Sequence, residues 1–296
     1  MASSLAERRA GRLFVSPTVL TLLVLGAFPL LFILAAAFTD SSLGKPFKEF
    51  TGADNLATVL GNADVVASLS RTVGYAVGTT AASVVLGVVV ATAVHQAVRS
   101  GAVVRTLLLL PLIVPPVVVG TLFKLIFNPA GGLLATVLGF VGIPAPAPLS
   151  DPGLALGAVM VADIWEWTPL VFILVFAALL GQDPSITEAA RMDGAHGWKL
   201  FAAVTLPAIA GTIAAAAFIR LVLALKVFDL VYIMTAGGPG QSTTTTSYLI
   251  HQVALKEFDI GRASAITLLL AVVVTLVTLP AAGLAARLRR KEEATA

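Results

Sequence analysis

The sequence predicts an all-α membrane protein with six transmembrane helices and both termini in the cytoplasm. Three observations predict it. Hydrophobic residues make up 58% of the 296 residues and charged residues only 12%, about half the charge of an ordinary soluble domain. Six stretches stay apolar for the roughly 20 residues that a bilayer core demands. Lysine and arginine then fall mainly on one side of those stretches. A soluble fold of this length could bury a sizeable core, but could not cover it with so few charges. A mean hydropathy of +0.97 agrees.

The stretches run Leu13–Phe38, Val73–Val98, Val104–Phe127, Leu154–Leu180, Val204–Thr235 and Ala263–Leu284. Together they read as a single transmembrane domain over residues 1–296. The first is too long for a signal-peptide core and contains Pro29, so it reads as a retained helix. Orientation follows from the basic residues near the span ends. With the N-terminus in the cytoplasm, the inner segments hold Arg8, Arg9, Arg12, Arg99, Arg105, Arg191, Lys199, Arg287, Arg289, Arg290 and Lys291. The outer segments hold Lys45, Lys48, Lys256 and Arg262, with Arg71 on a boundary. The segment between spans four and five, residues 182–203, is then cytoplasmic. The outer loops are rich in turn formers: Asn128–Gly153 has five prolines, and Ala236–Arg262 holds Gly237-Gly238-Pro239-Gly240 and the run Thr243–Thr246.

Several function classes drop out. A formal net charge of +3 is too small to argue for a nucleic-acid partner. Cysteine is absent, which removes disulfides and thiolate metal sites. His95, His196 and His251 stand far apart, so no metal site is expected. No Ser/His/Asp set suggests a membrane enzyme.

The cytoplasmic segment carries the sharpest local signal. Asp183 is a good N-cap and Pro184 suits the first helical position. Glu188 can pair with Arg191 one turn on. Ala189 and Ala190 give a face without bulk, and Gly194 tolerates the positive φ that ends a helix. A second stretch, Ala195–Phe201, leads into span five. Two readings fit this pattern equally: a plug for the groove of another protein, or an interfacial helix that merely joins two spans.

The segment resembles the EAA signature of the permeases of bacterial ABC importers. That signature reads Glu-Ala-Ala, three residues, Gly, nine residues, an aliphatic, one residue, Leu-Pro. Here stand Glu188-Ala189-Ala190, Gly194, Val204 and Leu206-Pro207 at that spacing. Asp193-Gly194-Ala195 matches the fuller form of carbohydrate importers. Phe127-Asn128-Pro129 with Gly132-Leu133-Leu134, Ile164-Trp165 with Thr168-Pro169, and Phe228-Asp229-Leu230-Val231-Tyr232 with Thr235-Ala236-Gly237-Gly238-Pro239 resemble segments of the maltose and glycerol-phosphate type. The last element points to the first of two permeases. Gly211 stands where that type has proline.

The resemblance implies a multi-pass subunit of the bacterial plasma membrane, surrounded by lipid. Its implied partners are a second, different permease, two ATP-binding subunits and an extracytoplasmic substrate-binding protein. Glu188, Ala189, Ala190, Arg191, Asp193 and Gly194 would form the coupling element. The chain would bind no cofactor of its own, with ATP and Mg on the partner ATPase. It has no G-x-x-x-x-G-K-[ST] phosphate loop and is not expected to be an enzyme.

Ionisable groups within spans are costly and mark cavities or partners. They are Lys124, Asp163, Glu166, Arg220, Lys226 and Asp229. At about 1.5 Å of rise per residue, Glu166 and Lys226 lie at comparable depths from the outer face. Two readings stay open: a structural Glu166–Lys226 ion pair, or a polar sugar pocket of Trp165, Glu166, Lys226, Phe228, Asp229 and Tyr232, with the aromatics Trp165, Trp167, Phe228 and Tyr232 stacking on sugar faces. The implied substrate is a disaccharide or oligosaccharide. Glycerol phosphate is the alternative, since Arg220 and Lys226 could serve an anion. An ATP-independent secondary transporter also explains spans and buried charges, but not the EAA spacing.

Overall fold

A computed structural model describes the backbone of residues 5–97 and 101–295, and the side chains of 13–97 and 101–287. The side chains of Arg8, Arg9, Arg12, Arg99, Arg289, Arg290 and Lys291, which carry much of the expected charge asymmetry, lie outside the described ones.

The chain is helical throughout except for one short hairpin among the described residues. In order come α1 (Leu5–Ala37), β1 (Thr39–Ser42), β2 (Lys45–Phe50), α2 (Asp54–Gly61), α3 (Ala63–Gln96), α4 (Ala102–Ile113), α5 (Pro116–Ile126), α6 (Leu133–Phe140) and α7 (Ala155–Leu180). Then follow α8 (Pro184–Met192), α9 (Gly197–Leu200), a π-helical turn (Phe201–Thr205), α10 (Leu206–Ala208), α11 (Ala210–Ala224), α12 (Asp229–Met234), α13 (Thr246–Leu255) and α14 (Ile260–Thr295). Four helices are long and apolar enough to cross a membrane, or up to six if each of two bent pairs is one span.

Those bent pairs are where hydropathy alone misleads. The stretch 104–127 reads as one helix, yet α4 and α5 meet at 97°. The cause is Pro115-Pro116. A residue before proline is driven out of the α region, and both Val114 (ψ 128°) and Pro115 (ψ 141°) are extended. Pro116 then starts α5 at its first position, where a missing N–H costs nothing. The stretch 204–235 is likewise divided. The helical segment Gly197–Ala208 and α11 bend by 69° at Ile209 (φ −109°, ψ 6°). Pro207 removes a helical donor and its ring crowds the preceding turn; the π turn just before it widens the helix at that point. A further break at 225–228 separates α12.

The molecule divides into two compact units, residues 1–66 with 250–271 and residues 67–249 with 272–296. In the first, β1 and β2 pair antiparallel with Thr39 opposite Phe50 and Ser42 opposite Lys45. Asn55 Nδ2 donates to the carbonyls of Ala37 (3.1 Å) and Thr39 (3.0 Å), closing the end of α1. From Leu13 to Ala37 helix α1 is apolar on all sides and its Leu20, Leu25 and Leu31 are all more than 60% exposed, the condition of a helix meant for lipid.

In the second unit, three clusters form the core. Tyr75, Val119, Val159, Ala162, Val231 and Tyr248 unite α3, α5, α7, α12 and α13. Val171, Phe172, Val175 and Leu179 of α7 pack with Ala91 of α3 and Ala216 of α11. Leu221 and Leu225 meet Val274 and Val277 of α14. Gly87 permits the close approach of α3 to α7, because a Cβ there would sit 2.6 Å from that of Val171.

The polar run Thr243–Thr246 is packed inside the molecule. All four residues are buried, and each hydroxyl finds a partner. Thr243 bonds Thr235 (2.8 Å), Thr244 donates to the Gly237 carbonyl (3.1 Å) and Thr245 to that of Val227 (3.3 Å). Thr246 joins Thr72 (3.1 Å) and Ser68 (3.3 Å) of α3. Satisfied hydroxyls make such a run cheap to bury.

Candidate functional site

Two places gather the residues that the sequence singles out. The first is α8. Asp183 Oδ1 accepts from the Ser185 amide at 2.9 Å, as an N-cap does. That bond from the Ser185 amide holds the Asp183 carboxyl below its ordinary range. At the other end Gly194 has φ +85°. Its amide donates to Arg191 O (3.0 Å), and the next amide, of Ala195, reaches back to Ala190 O (2.9 Å). These paired bonds form a Schellman motif, which needs a left-handed residue at Gly194. The helix stands off from the rest of the chain. Glu188, Ala189, Arg191, Asp193 and Gly194 are exposed and Ala190 is half-buried. Glu188 and Arg191 make no ion pair, although their spacing allows one. Apolar Ile186, Met192 and, on α9, Trp198 are also exposed, Met192 to 88%.

The second place lies among the charges of α7, α11 and α12. Asp163, Glu166 and Trp167 sit at i, i+3 and i+4 of α7 and share one face. They line a cavity of about 100 Å³ with Lys226, Phe228 and Asp229. The ion pair here is not between Glu166 and Lys226. Arg220 Nη2 donates to Asp163 Oδ2, and both residues are buried, Arg220 completely. The guanidinium carbon also lies 5.9 Å from the centre of the Trp167 ring. Arg220 Nε and Nη1 have no partner, and neither has Glu166 Oε2. Glu166 is 3% exposed, so an unpaired carboxylate oxygen is buried in the wall of the cavity.

Two residues expected beside Glu166 are elsewhere. Trp165 lines an apolar groove with Leu86, Leu107 and Pro111 and meets Phe123 edge-on at 5.6 Å. Tyr232 stacks on Phe228 at 5.4 Å, but does not line the cavity. Lys124 donates to Ile233 O at 3.3 Å, tying α5 to α12. Trp167, expected among the pocket aromatics, does line the cavity, and Asp163, counted among the buried charges but not placed in the pocket, joins it; the signal for Asp163 was its spacing of three residues from Glu166 and four from Trp167. No group of three or more metal-ligating side chains occurs among the described residues.

Comparison with known proteins identifies the family. The chain is 32% identical over 287 residues to the "Probable ABC transporter permease protein y4oQ" of Sinorhizobium fredii, covering 94% of this chain and 92% of that one. It is 30% identical to the "Trehalose/maltose transport system permease protein MalF" of Thermococcus litoralis, over 92% and 93% of the two chains. In fold it is similar to a chain of a bacterial alginate ABC transporter solved in complex with an alginate pentasaccharide-bound periplasmic protein, with a TM-score of 0.83, 22% identity and 94% of each chain covered. Residues 83–292, which contain α8, the π turn and the charged cavity, match the family described as "Binding-protein-dependent transport system inner membrane component". The chain belongs to that family: it is the membrane permease component of an ABC transport system.

Proposed function

We propose that this permease imports a carbohydrate, of disaccharide or oligosaccharide size, and takes its driving force from ATP hydrolysed on separate subunits that dock on α8. The observation that carries the reading is the form of α8. It is a short helix, fixed at both ends by its own caps, with a small and apolar exposed face and the EAA residues upon it. Burial of Ile186, Ala189 and Met192 in another protein's groove would stabilise docking at about 25 cal/mol per Å² of apolar surface. A rigid helix transmits the motion of that groove into α9 and the π turn. The break at Ile209 lies beside the π turn, a feature frequent at functional sites, and would serve as the pivot.

In this reading α8 faces the cytoplasm, as the basic residues around it favour. A second permease, a different chain, completes the pathway, and two ATP-binding subunits with bound ATP and Mg supply the work. A binding protein delivers the sugar from outside. Glu166, Lys226, Phe228 and Asp229 contribute one wall of the sugar path; Trp165 and Tyr232 flank it. The trehalose and maltose named for a relative make a neutral glucose disaccharide the first substrate to try.

The test is ATP-driven uptake of radiolabelled trehalose and maltose into proteoliposomes holding the full assembly. Uptake that requires the ATPase subunit and the binding protein is expected. Uptake that persists without the ATPase would overturn the reading in favour of a secondary transporter.

A further inference from the structure

The charge arrangement of the cavity says more about its ligand than the sugar reading requires. Three carboxylates line it, those of Asp163, Glu166 and Asp229, with a single cation, Lys226. Arg220 neutralises Asp163 and does not itself line the cavity. What remains is Glu166 and Asp229 against Lys226, one negative charge in excess. Protonating Glu166 removes the excess but creates no positive field. Arg220, the group that could have served an anion, has its charge paired with Asp163, and its two remaining nitrogens are buried away from the cavity lining.

We propose that this cavity accepts an uncharged, hydroxyl-rich ligand and rejects anionic ones, with Glu166 as the residue that sets the selection. The inference rests on the reading above that the cavity lies on the sugar path. Glu166 Oε2, buried and without a partner, is an acceptor waiting for a donor. A sugar hydroxyl donates to it; an ionised phosphate or carboxylate oxygen cannot, and meets like charge there. Lys226 and the Asp229 carboxylate offer one donor and one acceptor group more, matching hydroxyls that both give and receive. Trp167 and Phe228 supply ring faces for the C–H side of a pyranose. The volume of about 100 Å³ holds roughly three water-sized groups, so it grips a hydroxymethyl or one ring edge rather than a whole disaccharide. Glycerol phosphate, and sugars bearing phosphate or uronate groups, are therefore excluded at this wall.

The experiment measures binding of radiolabelled trehalose, maltose and trehalose 6-phosphate to the purified permease–ATPase assembly, with the binding protein left out so that its own selectivity is not read. A neutral disaccharide should bind at least about tenfold more tightly than trehalose 6-phosphate. Glu166→Gln should weaken the neutral sugar by roughly tenfold, the scale of one hydrogen bond to a charged acceptor, and should narrow the gap between the two ligands. Asp229→Asn, at an exposed position, repeats the test should Glu166→Gln fail to assemble. Equal binding of trehalose and its 6-phosphate, no binding of either neutral sugar, or an unaltered gap in both variants would overturn the inference. ATP-driven uptake that survives those outcomes leaves the importer standing, whereas uptake without ATP dependence takes down both.

Discussion

Removing the carboxylate of Asp163 probes the least replaceable polar contact of the membrane region. Arg220 is fully buried and Asp163 is 3% exposed, and their contact bridges α7 and α11. Asp163→Asn leaves the guanidinium buried without the carboxylate it is hydrogen-bonded to, which costs about 3–5 kcal/mol. Two of its nitrogens already lack partners, so little else can absorb the loss. For a chain of 296 residues the cost corresponds to a fall in Tm of roughly 5–8 °C. The assay is thermal unfolding of the detergent-purified permease, followed by tryptophan fluorescence. Arg220→Met should behave alike, because it strands the carboxylate. The double variant Asp163→Leu with Arg220→Met should recover most of the loss, since apolar groups of similar volume replace a buried pair at little cost. A Tm for Asp163→Asn within about 3 °C of the parent, or a double variant no better than the worse single one, would refute the reasoning.

Three further outcomes are expected. Gly87→Ala should destabilise the protein by about 1–3 kcal/mol in the same assay, because the new methyl meets Val171 at 2.6 Å and the Phe172 backbone nitrogen at 3.1 Å. Thr246→Val should cost about 0.5–1.5 kcal/mol by removing the hydroxyl that bonds Thr72 and Ser68, and should loosen α13 in hydrogen exchange. Asp183→Ala should raise the exchange rate of the Ser185 amide and fray the start of α8. The pH dependence of that cap has a definite sign. The folded carboxyl titrates below its unfolded value, so its stabilisation is complete above the ordinary aspartate range near pH 4. It is lost as pH falls through the lower folded value, and protection of Ser185 should follow.

The parts of the molecule that depend on neighbours in sequence were the most legible. Asp183, Pro184 and Gly194 announce the two ends of α8, and the structure places an N-cap and a left-handed residue at those positions. Hydropathy finds the apolar stretches but not their bends. Pro115-Pro116 could have divided the third, since two consecutive prolines exclude a continuous helix. The break at Ile209 had a fainter sign in Pro207. Partners distant in sequence were harder. Glu166 and Lys226 seemed a natural pair because their depths agree, yet depth says nothing of azimuth. Asp163 and Arg220, 57 residues apart, point at one another across α7 and α11 instead. Trp165 shows the same limit. At about 100° per residue it lies some 200° around the helix from Asp163, so it faces another groove although it adjoins Glu166 in sequence. The burial of the threonine run has no local signal either: only the hydroxyls and carbonyls supplied by α3, α12 and the Gly237-Gly238 turn explain it.

The most direct test of α8 as the coupling element is Gly194→Pro in the complete importer. Proline fixes φ near −65°, whereas this position needs +85°, and it removes the amide that bonds Arg191 O. Substrate-stimulated ATP hydrolysis should collapse while the permease pair still co-purifies as a folded assembly. Stimulation equal to that of the unsubstituted importer would contradict a coupling role for the end of α8.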